Sequence, residues 1–199
     1  SFPIEIQKAF DDKLDLLIMR QTKTFIKEHI ICDTEDVLLD KLRDLLNDSD
    51  LQKVRIRLNS DLLSEQVVLV DTPGFGAIQT DHHTRLHEDN VKDYLHAHVA
   101  QIFWVVTGAN GGIGKREKEF YSELLADCCD DVIVTRTEDW DDDDKFRFVK
   151  RYRKELDNPF ANFFFVSATR GLDARKSGDL QLLAQAGIQQ LETRIRSLA

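Results

Sequence analysis

The stretch "QVVLVDTPGFG", residues 66–76, decides the reading of the fold. Its apolar run, Val67, Val68, Leu69 and Val70, ends abruptly in Asp71-Thr72-Pro73-Gly74. Such a run predicts a strand buried on both faces. An acid at the C-terminal end of that strand stands where open α/β sheets bind ligands. A carboxylate there can hold Mg²⁺, directly or through water. Gly74 leaves its backbone N–H free to approach a phosphate oxygen. Taken alone, D-T-P-G also fits a β-turn with proline in its centre, so the surrounding strands have to decide.

Downstream, three more apolar runs have strand length: "IFWVV" (102–106), "VIV" (132–134) and "FFFV" (163–166). Between and after them, 115–126, 145–156 and 180–198 show helical spacing. Short buried strands alternating with helices predict parallel βαβ units. The expected class is α/β: a doubly wound, mostly parallel sheet flanked by helices in three layers. The four apolar strands should be parallel neighbours. Upstream, 4–6, 14–19 and 25–31 read as strands, and Asp33 to Asp36 open a helix carrying Val37, Leu38, Leu42, Leu45 and Leu46. Val54, Ile56 and Leu58 alternate with Arg55 and Arg57, a half-buried strand expected to run antiparallel beside 67–70. Residues 77–98 read as a polar loop followed by a helix.

Composition narrows the function. A chain of 199 residues with 42% hydrophobic residues buries a substantial core. A formal charge of −9 excludes the basic face that nucleic acid requires. The three cysteines, Cys32, Cys128 and Cys129, lack metal-ligand spacing and suit a reducing compartment. No apolar run reaches membrane-spanning length and no signal-peptide pattern opens the chain. A soluble, cytoplasmic protein is expected. His83 and His87 lie four apart, but no cysteine joins them, and a solvated polar segment explains them more simply than a metal site. The acidic run "WDDDDK" (140–145) suits a helix N-terminus, and the basic cluster from Lys145 to Lys154 is expected to pair with it.

Three of the apolar strands end in distinctive loops: "DTPG", "TRTED" (135–139) and "VSA" (166–168). Their order resembles the later motifs of regulatory GTPases. The stretches "VRIRLNSDLLSEQVVLVDTPGFG" and "QIFWVVTGANGGIGKREKEFYSELL" are similar to the dynamin superfamily, over most of the chain from Leu51 onward. The resemblance implies GTP binding and hydrolysis with Mg²⁺, coupled to self-association through the GTPase domain. It also implies peripheral attachment to membranes through parts outside this chain. In that reading Asp71 holds Mg²⁺ through water, with Thr72 beside it, and the Gly74 N–H meets the γ-phosphate. Thr135, Arg136 and either Glu138 or Asp139 read guanine, and Ser167 and Ala168 buttress the base.

Two departures qualify it. The family's guanine motif is Asn or Thr, Lys, any residue, Asp; here Arg136 replaces Lys and Glu138 replaces Asp. A guanidinium still stacks on a purine, and a glutamate still accepts two N–H groups from a more outward position. The glycine-rich phosphate loop is also absent upstream of the D-T-P-G strand. "ANGGIGKR" (109–116) has Gly114-Lys115 but follows that strand and carries Arg116 where a hydroxyl is needed, so it reads as a turn. Residues 1–199 therefore read as the part of a GTPase domain that follows switch I, incomplete at its N-terminus and inactive alone. The competing reading is a degenerate GTPase-like fold that serves as a non-catalytic scaffold.

Overall fold

Strand β1 (Ile4–Lys8) lies between two strands that were expected to be neighbours. It pairs in parallel with β4 (Leu51–Leu58) on one side and antiparallel with β5 (Val68–Asp71) on the other. With β2 (Leu14–Arg20) and β3 (Ile26–Cys32) these form a five-stranded sheet in the order β3-β2-β4-β1-β5. The computed structural model describes residues 4–9, 11, 14–20, 26–45, 51–64, 67–71, 101–109 and 113–198. They divide between two units, Ser1–Val91 with Ile195–Ala199 and Lys92–Arg194.

The first unit is built on alternation. Leu16, Ile18, Val54 and Ile56 point to one face and are buried there with Cys32 and Leu51. Helix α1 (Glu35–Leu45) covers that face with Leu38, Leu42 and Leu45 at helical spacing. Thr34 starts the helix by accepting the Val37 N–H at 3.3 Å, and Glu35 and Asp36 suit the first turn electrostatically. Each fully buried aliphatic side chain contributes roughly 1.5–3 kcal/mol, so a charge at Ile18 or Val54 would unmake the sheet.

The intervening residues carry a charge ladder on the other face. Glu5 accepts from Lys53 Nζ at 2.9 Å and Arg55 Nε at 2.8 Å, and Asp15 accepts from Arg57 Nε at 2.8 Å. Opposite charges facing each other across strands stabilise the register. The Asp15 carboxyl falls below the usual range: burial opposes its ionisation, but hydrogen bonds and charge from Arg57 and His29 outweigh it.

Two expectations are corrected here. β4 is not β5's neighbour, because β1 is interposed. β5 is also not buried on both faces: Val68 is 45% exposed. Among the described residues β5 bonds on one edge only, to β1.

The second unit holds β6 (Phe103–Thr107), β7 (Asp131–Thr135) and β8 (Asn162–Val166) as a parallel sheet in that order. The expected run of four parallel neighbours is therefore three, with β5 in another sheet. Trp104, Val106, Val132 and Val134 are buried under α2 (Lys115–Phe120) and α3 (Asp142–Glu155), which contributes Phe148 and Tyr152. The helix expected over 115–126 ends in a single π turn, Tyr121–Leu125, closed by the Ala126 N–H on the Tyr121 carbonyl at 2.9 Å. That turn carries the buried Tyr121, stacked on Trp104 with ring centroids 5.1 Å apart. Its hydroxyl donates to the Cys129 carbonyl at 3.0 Å and accepts from Asn158 Nδ2 at 2.8 Å, so a buried polar group is fully used.

The acidic run does start a helix. Asp141 accepts the Asp144 N–H at 2.7 Å, and the Asp144 carboxylate accepts the Asp141 N–H, a reciprocal cap. Beyond β8 the chain forms α4 (Ala168–Ser177), α5 (Leu180–Gln185) and α6 (Ile188–Arg196). The single helix expected over 180–198 is thus broken in two. The break is at Gly187, where φ is +69° and a Cβ would lie 2.0 Å from the Phe165 carbonyl oxygen. Helix α4 was not expected at all.

Candidate functional site at the C-terminal ends of the parallel strands

Parallel strands place their C-terminal ends together. Thr107, Thr135 and Val166 end β6, β7 and β8 in register, which gathers the loops that follow them. The Gly108 N–H donates to the Thr135 carbonyl at 2.7 Å, and Thr135 Oγ1 donates to the Val106 carbonyl at 3.2 Å. Thr135 is therefore occupied in joining β6 to β7. Arg136 follows with φ +58°, a left-handed conformation that non-glycine residues seldom adopt. Such strain, of order 1 kcal/mol or more, concentrates at functional loops. Thr137 is buried, and its carbonyl accepts the Trp140 N–H at 3.1 Å, so the loop turns tightly there.

Ser167 ties this loop to the next. It caps α4, its Oγ accepting the Arg170 N–H at 3.3 Å. The nearby Ser167 hydroxyl is also the main cause that holds the Glu138 carboxyl below the usual glutamate range. The backbone N–H of Glu138 and the positive charges of Arg170 and Arg136 act in the same direction. The second and third sequence motifs thus lie close together: the exposed Glu138 carboxyl feels Ser167, Arg170 and Arg136. Asp139 and Ala168 are exposed beside it, Ala168 as the first residue of α4.

Asp71 is the last residue of β5, exposed and opposite Ile4. It belongs to the first unit and is described there alone. Thr72 and Gly74 lie outside the described residues, as do His83 and His87 and the helix expected within 77–98. No group of three or more His, Cys, Asp or Glu converges among the described residues. Nor is any helix among them long and apolar enough to cross a membrane.

Reading the sequence missed two features near this edge. Arg170 follows the Ser167 cap, and only the S-x-x-R spacing hinted at it. A cleft of about 410 Å³ opens beside Gly108, walled by Trp140, Phe148 and Tyr152 and rimmed by Asp144, Arg147 and Arg151. None of the residues expected to read nucleotide lines it.

No family model matches the sequence, and no curated protein matches it. Among solved structures the chain is similar to two of an oligomerised bacterial dynamin pair, described as a mechanism for long-range sensing and tethering of membranes. The TM-scores are 0.71 and 0.68, at 12% identity in both cases. The matches cover 98% of this chain but 32% and 39% of the two neighbours. The chain therefore has a dynamin-like fold, mixed α/β with a parallel sheet and flanking helices, and spans about a third of the length of those neighbours.

Proposed function

We propose that residues 1–199 are the part of a dynamin-like GTPase domain that follows switch I, and that they supply its guanine-reading end. The observation that carries this reading is the in-register ending of β6, β7 and β8 at Thr107, Thr135 and Val166, which gathers the loops after β7 and β8. The influence of Ser167 on the Glu138 carboxyl supports Glu138 rather than Asp139 as the reader. Glu138 accepts the two N–H groups of guanine, the Arg136 stem lies against the ring face, and Ser167 fixes the carboxylate. The exposed end of α4 at Ala168 borders the base. Thr135 supports the loop from beneath rather than touching the ligand.

Mg²⁺ takes one or two carboxylates and completes its shell with water and substrate phosphates. Asp71, an exposed carboxylate at a strand end, supplies one such ligand. When bound, the ion would neutralise phosphate charge. Asp71 would hold it through water. GTP hydrolysis, self-association and membrane attachment are properties of the intact protein in this reading.

The test is calorimetry on two chains. The 199 residues alone lack the phosphate cradle, so they should bind GTP at about 1 mM, equivalent to about −4 kcal/mol. The chain extended by its natural upstream segment should bind GTP over ATP in a Mg²⁺-dependent way. Failure of the extended chain to bind would favour the scaffold reading, which the altered motif at Arg136 and Glu138 supports.

A further inference from the structure

Helix α3 (Asp142–Glu155) leaves one stripe of side chains unused. Most of its charges are spent locally: Arg147 on Asp144 at 2.7 Å, Arg151 on Glu155 at 2.8 Å, and Arg153 on the Ala161 carbonyl at 3.1 Å. Lys145 lies 3.8 Å from Asp142. Three groups have no such partner among the described residues: Asp143, Lys150 and Lys154. At 100° per residue they fall on one line along the helix. Phe146, 66% exposed, lies beside that line. The buried Phe148 and Tyr152 are on the opposite side of the helix.

The stripe is acidic at its N-terminal end, aromatic near its middle and basic at its C-terminal end. Reversed end for end, it meets its own complement. We propose that this face pairs with a second copy of the chain, two α3 helices lying antiparallel about a two-fold axis level with Phe148. That operator sets Asp142 and Asp143 of each helix opposite Lys154 of the other, and Phe146 opposite Lys150. The second contact offers an ammonium over an aromatic face. A two-fold interface requires such self-complementarity. Arg147 and Arg151 add little repulsion, since each is neutralised within its own helix. The proposal deepens the self-association reading above but needs no nucleotide, so the two are tested apart.

One helix pair is smaller than a standard interface, so the dimer should be weak, roughly 10–100 µM. Its charges are exposed, so it should dissociate in about 0.5 M salt. Sedimentation equilibrium of the 199-residue chain without nucleotide reads both. Asp142→Lys with Asp143→Lys makes the stripe wholly basic; Lys150→Glu with Lys154→Glu makes it wholly acidic. Each variant alone should lose association by at least about tenfold, and circular dichroism reads separately any fraying of the helix ends, where these charges suit the macrodipole. An equimolar mixture should form a heterodimer. A wild-type chain that stays monomeric at low salt, variants that associate like the wild type, or a mixture that stays monomeric would each overturn the proposal.

Discussion

Arg194 on α6 donates its Nε to Asp131 Oδ2 at 2.8 Å, anchoring the final helix to the first residue of β7. Asp131 is fully buried, and its carboxylate also accepts from Gln101 Nε2 at 3.1 Å and Asn162 Nδ2 at 2.9 Å. Every donor comes from a different segment of the chain. The network therefore fixes α6 at the edge of the sheet opposite the loops that follow Thr135 and Val166, and it explains why a charge is tolerated in the core.

Replacing Arg194 by Met should therefore cost about 1–3 kcal/mol, the usual penalty for a buried acceptor that loses a charged donor. Thermal unfolding would show a midpoint several degrees lower. Hydrogen exchange over 188–196 should rise before exchange elsewhere in the second unit, because the anchor fails before the sheet does. Equal loss of protection throughout would mean that the contact is not local.

Two glycines in the left-handed region should respond differently to alanine. At Gly178, φ is +73° and nothing beyond its chain neighbours lies within 4 Å of where a Cβ would stand. Gly178→Ala should cost about 1 kcal/mol, for backbone conformation alone. At Gly187 the same substitution adds a clash with the backbone oxygen of Phe165 and should cost more than twice as much. Comparing the denaturant midpoints of the two variants checks this. Equal costs would mean that the 187 turn can shift away from β8.

These positions also show what the sequence could reveal. Apolar runs located β6, β7 and β8, because each strand carries apolar residues at successive positions, although Val105 of β6 is 60% exposed. Alternation located β4 and its charged face. Strand order was not legible: whether β1 or β4 lies beside β5 depends on pairing between distant segments. The π turn at Tyr121 and the break at Gly187 are set by tertiary contacts with Cys129, Asn158 and Phe165. Helix α4 is polar except for a few positions, with Gly171 and Ala174 buried, so it gave no periodic apolar signal. At the site, residue types suggested the ligand class. That Ser167 holds Glu138 was not legible, because it depends on two loops meeting.

The cysteines should differ sharply in reactivity. Cys129 is buried, and desolvation pushes its thiol up to about 12. Cys32 is buried and also raised by burial. Cys128 is exposed, although burial of its sulfur and the charge of Asp127 still raise it. Thiolate is the reactive form. Alkylation of the native chain at about pH 8 should therefore label Cys128 slowly and leave the other two untouched. Mass spectrometry after labelling reads this directly, and native labelling of Cys129 would show that the π turn opens.

The Ser167 hydroxyl near Glu138 couples this loop to pH in a definite direction. Glu138 has a lowered pKa in the folded chain, so its contribution to stability is fully present above the unfolded glutamate value of about 4.3. That contribution is lost as pH falls through the lower folded value. The carboxylate is exposed and screened, so the effect on stability is small, and the pKa itself is the better readout. Ser167→Ala removes the main cause of the shift, so the Glu138 titration, followed by NMR of its side-chain carboxyl, should move upward. Loss of the α4 cap should cost about 1 kcal/mol as well. Arg170→Gln should raise the pKa less, since it removes charge at a distance but keeps the serine hydroxyl. If Arg170→Gln shifts the titration more than Ser167→Ala does, the arginines rather than the serine set the Glu138 titration.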